Sequence, residues 1–276
     1  MTKLLFQLLA ILLLLTASID LKAQRDTSIY PLKKHVVQSE HLKQEREYWV
    51  SLPVRYNPEE AYPVMYVLDA EWRVDLIGRL AYDLGGNQKI PKHIIVGIPH
   101  VDWEYQRGID LTFSHSRMEY DGDTVDSTWY NDRNSGGAET FYQYLIEELI
   151  PSVNKQYKTT GKNTLIGHSY GGYFGAYILP REHPFTAFHI YDPSIWYSEG
   201  EAIEQIRQHL SKERELDVFI SFQLIPAYHS GKILELIEVL SGFDNINFHY
   251  QIYEDETHNS LFIPSFLDSV KAQFKN

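Results

Sequence analysis

The sequence predicts an α/β fold: a mostly parallel central sheet with helices on both faces. Three observations carry this. Short apolar runs alternate with stretches of helical periodicity along most of the chain. The central runs are apolar at consecutive positions, as strands buried on both faces are. One of them passes through a glycine-flanked serine directly into a helix.

Taken in order, His35-Val36-Val37 and Glu47 to Leu52 alternate in polarity and read as an antiparallel pair at one edge. Pro63 to Asp69 reads as a buried strand. A helix follows from about Val74 to Leu84, ended by Gly85-Gly86. His93 to Ile98 is the next strand. Residues 101–137 show little periodicity. Ala138 to Tyr157 reads as one amphipathic helix, with Phe141, Tyr144, Leu145, Leu149 and Ile150 on its apolar side. Lys162 to Ile166 is a strand, and Tyr170 to Leu179 a helix stopped at Pro180. Phe188 to Tyr191, Val218 to Ser221 and Asn247 to Ile252 are further strands. Helices are expected near 199–211, near 230–241 and at the C-terminus.

The serine between the Lys162–Ile166 strand and its helix lies in Gly167-His168-Ser169-Tyr170-Gly171-Gly172. In that setting the turn is sharp enough to push the hydroxyl clear of the sheet, and both flanking positions should want glycine. The plain alternative is a serine in a glycine-rich helix cap.

The chain has 276 residues, no cysteine and a formal net charge of -12. No linker, repeat or charge block divides residues 30–276, so one large domain is expected. Lys3, the apolar run Leu4 to Leu15, and small residues up to Ala23 read as a signal peptide over 1–23, with the mature domain at 24–276. A single membrane anchor is the alternative. A periplasmic or secreted protein is expected, with no stable membrane anchor after cleavage. Without cysteine its stability must come from a large core, and lipid anchoring through a cysteine at the cleavage site is excluded. The acidic balance argues against nucleic acid.

A serine hydroxyl needs a base. His258, in Glu254-Asp255-Glu256-Thr257-His258-Asn259-Ser260, follows the last strand and precedes the last helix. Active residues of such sheets sit on loops at the carboxyl ends of strands. A third group should orient the imidazole and stabilise its charge. Asp192 ends the strand after the Ser169 helix, although an Asp before Pro193 also reads as a turn cap. One strand later, Ser221-Phe222-Gln223-Leu224-Ile225-Pro226 offers no carboxylate. Glu235 and Glu238 look like helix surface, and Glu254 and Glu256 are sequence neighbours of His258. Two amides should hold an oxyanion: those of Tyr170 and Glu71, the latter with its carboxylate turned away. Trp72, Arg107 and Trp196 are candidate substrate contacts, and the aromatic-rich 101–137 segment suits an acyl or ring-bearing ligand. Asp121 to Asp126 lacks the spacing of a calcium loop, so no metal or other cofactor is expected.

Leu68-Asp69, Gly97-Ile98, Glu148-Leu149-Ile150-Pro151, Gly167 to Gly172, Pro193-Ser194-Ile195-Trp196 and Glu256-Thr257-His258 occur in one order. With them, residues 30–276 resemble the putative-esterase family of α/β hydrolases, which includes enterochelin-esterase-like, feruloyl-esterase and mycolyltransferase-type proteins. The resemblance implies Ser169 as nucleophile, His258 as base, and Glu71 and Tyr170 as oxyanion donors. The chain departs from the family pattern twice. The acid usual after the strand matched by Val218–Ser221 is missing, and Asp192 stands where relatives carry the first serine of Ser-Pro-Ser-Leu-Trp. The expectation is that the acid has moved one strand earlier; a Ser169–His258 dyad is the fallback. The expected activity is hydrolysis of a small-molecule or glycan carboxylic ester through an acyl-enzyme. The rivals are acyl transfer to a sugar or lipid hydroxyl, and a noncatalytic envelope-binding protein on the same scaffold.

Overall fold

The structure is a computed structural model and describes residues 32–274. The expected signal segment lies outside the described residues. Eight strands form one sheet: β1 (Lys33–Ser39), β2 (Gln44–Ser51), β3 (Tyr62–Leu68), β4 (Ile94–Ile98), β5 (Thr159–His168), β6 (Phe185–Tyr191), β7 (Leu216–Phe222) and β8 (Ile246–Ile252). Their spatial order is β1-β2-β4-β3-β5-β6-β7-β8. β2 runs antiparallel to β1 and β4, and every pairing from β4 to β8 is parallel. All carboxyl ends from β3 onward therefore open on one edge.

The eight α-helices among the described residues are α1 (Ala70–Gly86), α2 (Gln106–Leu111), α3 (Ala138–Gln143), α4 (Ile150–Gln156), α5 (Tyr170–Ile178), α6 (Glu201–His209), α7 (Ala227–Leu240) and α8 (Phe262–Gln273). Strand alternation divides the core in two. Val64, Tyr66 and Leu68 of β3 join the cluster that includes Phe141, Phe174, Ile206 and Ile233. Met65 and Val67 join the cluster that includes Val74, Ile77, Phe262 and Phe266. So α1 and α8 cover one face and α3 to α7 the other, as the continuous apolar runs predict.

Two elements differ from expectation. Helix α1 starts at Ala70 rather than near Val74, because Asp69 (φ 55) reverses the chain immediately after β3. Exposed Trp72 and half-buried Glu71 interrupt the apolar period there and hide the start. The single helix expected over 138–157 carries a π-helical segment, Tyr144–Leu149, between α3 and α4. At about 100° per residue, an α-helix would put Phe141 and Ile150 on opposite sides. Both are buried in one cluster, and the wider π turns take up that difference.

Candidate active site

Strand β5 delivers Ser169 to the carboxyl edge, and α5 begins at the next residue. Ser169 has φ 59 and ψ -120, a strained backbone for any residue with a side chain. Its N–H donates to Tyr191 O (3.0 Å) and its carbonyl accepts from Ser194 N (3.0 Å), so the turn is pinned to the end of β6. A Cβ on Gly167 would lie 2.2 Å from Gly171 O, so no side chain fits. Gly171 itself is less demanding than expected, since a Cβ there would make ordinary contact with Leu68 at 3.4 Å. The tight approach falls on Gly172, where a Cβ would meet Pro193 at 2.9 Å. That glycine lets the turn carrying Asp192 lie against α5.

Asp192 ends β6 with φ 38 and is fully buried. Its Oδ2 accepts from His258 Nδ1 at 2.6 Å. Its Oδ1 accepts from His229 Nε2 at 3.0 Å and from Gln223 N at 3.2 Å. The position one strand later, where the sequence lacks a carboxylate, thus supplies a backbone donor to Asp192. Burial alone would raise the Asp192 pKa; the hydrogen bonds from His229 and His258 outweigh it and hold the carboxyl well below its usual range.

His258 sits on the loop after β8. With Nδ1–H given to Asp192, Nε2 is left as the basic nitrogen. The imidazole is 39% exposed, while the other members of the Asp192 cluster are buried. His168 steadies it from below: its Nε2 donates to His258 O at 2.6 Å, and the two rings lie 4.4 Å apart. Burial and the neighbouring His258 push the His168 pKa down to about 3, which keeps it a neutral donor. The Ser169 hydroxyl is 3.5 Å from Ser194 Oγ. Ser169 and His258 line one cavity of about 640 Å³, walled by Tyr120, Tyr170, Trp196, Ile225 and Pro226.

The remaining expected residues are placed as follows. Tyr170 opens α5, where first-turn amides have no acceptor within the helix. Glu71 lies in the first turn of α1, and its Oε1 accepts from His100 N at 2.5 Å. Trp196 is buried against Tyr170 in the cavity wall. Trp72 is exposed and lies outside that cavity, in a smaller cleft of about 440 Å³ that Ser169 and His258 also line. Arg107 borders both spaces but is committed to Asp69, through Nε–Oδ1 at 2.6 Å and Nη2–Oδ2 at 3.0 Å. Its cation lies 5.4 Å from the Tyr170 ring. Only part of the 101–137 segment faces the cavity: Tyr120 lines it, while Phe113 packs on Tyr177 at 3.8 Å.

Sequence reasoning missed His229, which lies near the start of α7 and is 3% exposed. No strand-end rule marks it, since it follows a cis-proline turn at Ile225-Pro226 rather than a strand. Asp192, His229 and His258 bring one oxygen and two nitrogens within 4.8 Å of one another, a set a divalent cation could use. Here hydrogen bonds between those residues already engage them.

Sheet order, the strained elbow serine and a histidine after the last strand define an α/β hydrolase. Residues 39–189 match the family described as Putative esterase, more than half of the chain, and the protein belongs to that family. It is 27% identical over 161 residues to the ferri-bacillibactin esterase BesA of Bacillus subtilis, a match covering 54% of each chain. It is 30% identical over 80 residues to a siderophore enterobactin esterase of Emericella nidulans, covering 28% of this chain and 26% of that one. The protein thus spans about half the length of the first relative and about a quarter of the second. Among solved structures, an IroE-like serine hydrolase of Shewanella oneidensis superposes with a TM-score of 0.78 at 29% identity, over 89% of this chain and 80% of that one.

Proposed function

We propose that this protein is an exported serine hydrolase of carboxylic esters, and that its substrate is a small-molecule ester of the siderophore type on which its relatives are named as acting. The observation that carries the reading is the 2.6 Å bond from His258 Nδ1 to a buried, ionised Asp192, beside a strained Ser169 opening on the same cavity. Ser169 Oγ attacks the ester carbonyl while His258 Nε2 takes its proton. Asp192 fixes the tautomer and stabilises the imidazolium. The amides of Tyr170 and Glu71 receive the oxyanion. His258 then protonates the leaving alcohol, and water, activated by the same histidine, releases the acyl group. Handing the Ser169 hydroxyl from Ser194 to His258 takes a side-chain rotation. Catalytic hydrogen bonds often tighten only around substrate.

Export rests on the sequence of residues 1–23, and the absence of cysteine excludes lipid anchoring at the cleavage site. No helix among the described residues is long and apolar enough to cross a membrane. The test is stopped-flow hydrolysis of p-nitrophenyl acetate and butyrate by the mature chain, with Ser169→Ala beside it. A burst of p-nitrophenol that disappears in Ser169→Ala is expected. Equal rates in the two folded proteins would refute the covalent mechanism.

A further inference from the structure

The smaller cleft, on the α1 side of Ser169, contains a cation with no hydrogen-bonded anion. Arg73 lies in the first turns of α1, half-buried, with its guanidinium 4.1 Å from the centre of the Phe262 ring. Its Nε is buried, and among the described residues nothing accepts a hydrogen bond from it. The nearby carboxylate, Asp69, has both oxygens taken by Arg107. The permanent charges facing the cleft are therefore Asp69 against Arg73 and Arg107, a local excess of one positive charge in a chain of net charge -12. An arginine does not escape this by losing its proton. A buried donor without an acceptor is costly, and a charged acceptor satisfies it best. Trp72 and Trp103, in T-shaped contact at 5.7 Å and both more than half exposed, add aromatic surface beside it.

We infer that this cleft is a second substrate subsite, which binds an anionic group, a carboxylate on the ester substrate, through Arg73. The inference rests on the hydrolase reading above and narrows its substrate class to esters with one acidic arm. Ser169 and His258 border both spaces. One half of the ester can therefore occupy the larger apolar cavity while the acidic half lies against Arg73.

The carboxylate can belong to the acyl or to the alcohol half, and two substrate pairs separate these. The acyl pair is the p-nitrophenyl monoester of adipate against p-nitrophenyl hexanoate. The alcohol pair is the hexanoyl ester of p-hydroxybenzoate against that of p-hydroxybenzamide. At low ionic strength, kcat/KM should favour the acidic member of one pair by about tenfold or more. That ratio should fall to about one in Arg73→Met and survive in part in Arg73→Lys, which keeps the charge without the planar fork. Each ratio is internal to one protein, so partial loss of folded enzyme does not alter it. Equal rates within both pairs, or a preference that persists in Arg73→Met, would overturn the subsite. If no ester turns over, the hydrolase reading fails and binding decides the subsite. In Ser169→Ala, monomethyl adipate should then bind about tenfold tighter than methyl hexanoate, and Ser169→Ala/Arg73→Met should lose the difference. Equal affinities in Ser169→Ala would refute it.

Discussion

Two buried carboxylates flank Ser169, each at the end of a strand next to β5, and they are neutralised in opposite ways. Asp69 ends β3 and Asp192 ends β6, both with positive φ (55 and 38). Asp69 belongs to a closed array. Arg107 pairs with it, His100 Nε2 lies 3.3 Å away, His100 Nδ1 meets Asp110 at 2.8 Å, and Arg46 grips Asp110 with two bonds of 2.8 and 2.6 Å. Its cations are mainly arginines, which hold their charge at any working pH. Asp192 is held by two histidines and a backbone amide, and both histidines line the cavity, His258 being the exposed one. The difference separates an array clamped mainly by arginines, which braces the loops, from a carboxylate held by imidazoles and an amide at the cavity; under the proposed mechanism only the second serves turnover.

Substitution at the two clusters should break the symmetry most sharply. Asp192→Asn should lower kcat by about 10³- to 10⁴-fold with KM little changed, because an amide cannot stabilise the imidazolium and admits the wrong tautomer. A loss of tenfold or less would exclude Asp192 as the triad acid and leave the Ser169–His258 dyad. Asp110→Asn should do the reverse. It strips charge from a site where Arg46 is about 1% exposed, and should cost about 3–5 kcal/mol of stability. The folded fraction should keep its kcat to within about tenfold. Chemical denaturation alongside steady-state kinetics reads both effects.

That contrast also marks what the sequence could reveal. The sheet, its helices and the elbow were legible because buried parallel strands, amphipathic helices and a Gly-x-Ser-x-Gly turn each leave a local pattern. Ser169 and His258 could be proposed by position, each on a loop after the carboxyl end of its strand, β5 and β8. Asp192 could be named because only one carboxylate stood at a suitable strand end, although the same residue also read as a turn cap before Pro193. His229 and the Asp69–His100–Asp110 array were not legible. Their partners lie 37, 38, 64 and 10 residues apart in the chain, and nothing local distinguishes a histidine that donates to a buried carboxylate from one that does not. The oxyanion pair was read from position alone, Tyr170 as the residue after the serine and Glu71 as part of a loop after β3; that loop is instead the first turn of α1, which begins four residues earlier than its apolar period indicates.

His229 allows a finer division within the Asp192 cluster. Its Nε2 donates to Asp192 while its Nδ1 is buried without a partner. Replacing it with alanine removes one of three donors from Asp192, and kcat should fall by about ten- to a hundredfold, the scale of one charge-assisted hydrogen bond. His229→Gln can place an amide N–H near the lost Nε2–H and should recover most of that loss. A role in packing alone predicts no such recovery, because glutamine fills the ring's space poorly. Equal defects in the two variants would reduce His229 to a wall of the cavity.

The smallest expected effect tests whether the Asp69 array is as fixed as its arginines imply, since His100 is its one titratable cation. Burial lowers the His100 pKa, but its contacts with Asp110 and Asp69 outweigh burial and raise it to about 9. In the unfolded chain a histidine titrates near 6.5. The folded pKa is the higher one, so the folded state holds the proton more tightly. The stabilisation is complete below about pH 6.5 and is lost as pH rises through about 9. Between pH 7 and 8.5 the protein should therefore lose on the order of 1–2 kcal/mol from this site. His100→Gln should be less stable at pH 7 and should lack this part of the slope. The measurement is urea unfolding across that pH range for both proteins. Parallel pH dependences would mean that His100 is neutral when folded, and that Asp69 and Asp110 are balanced by Arg107 and Arg46 alone.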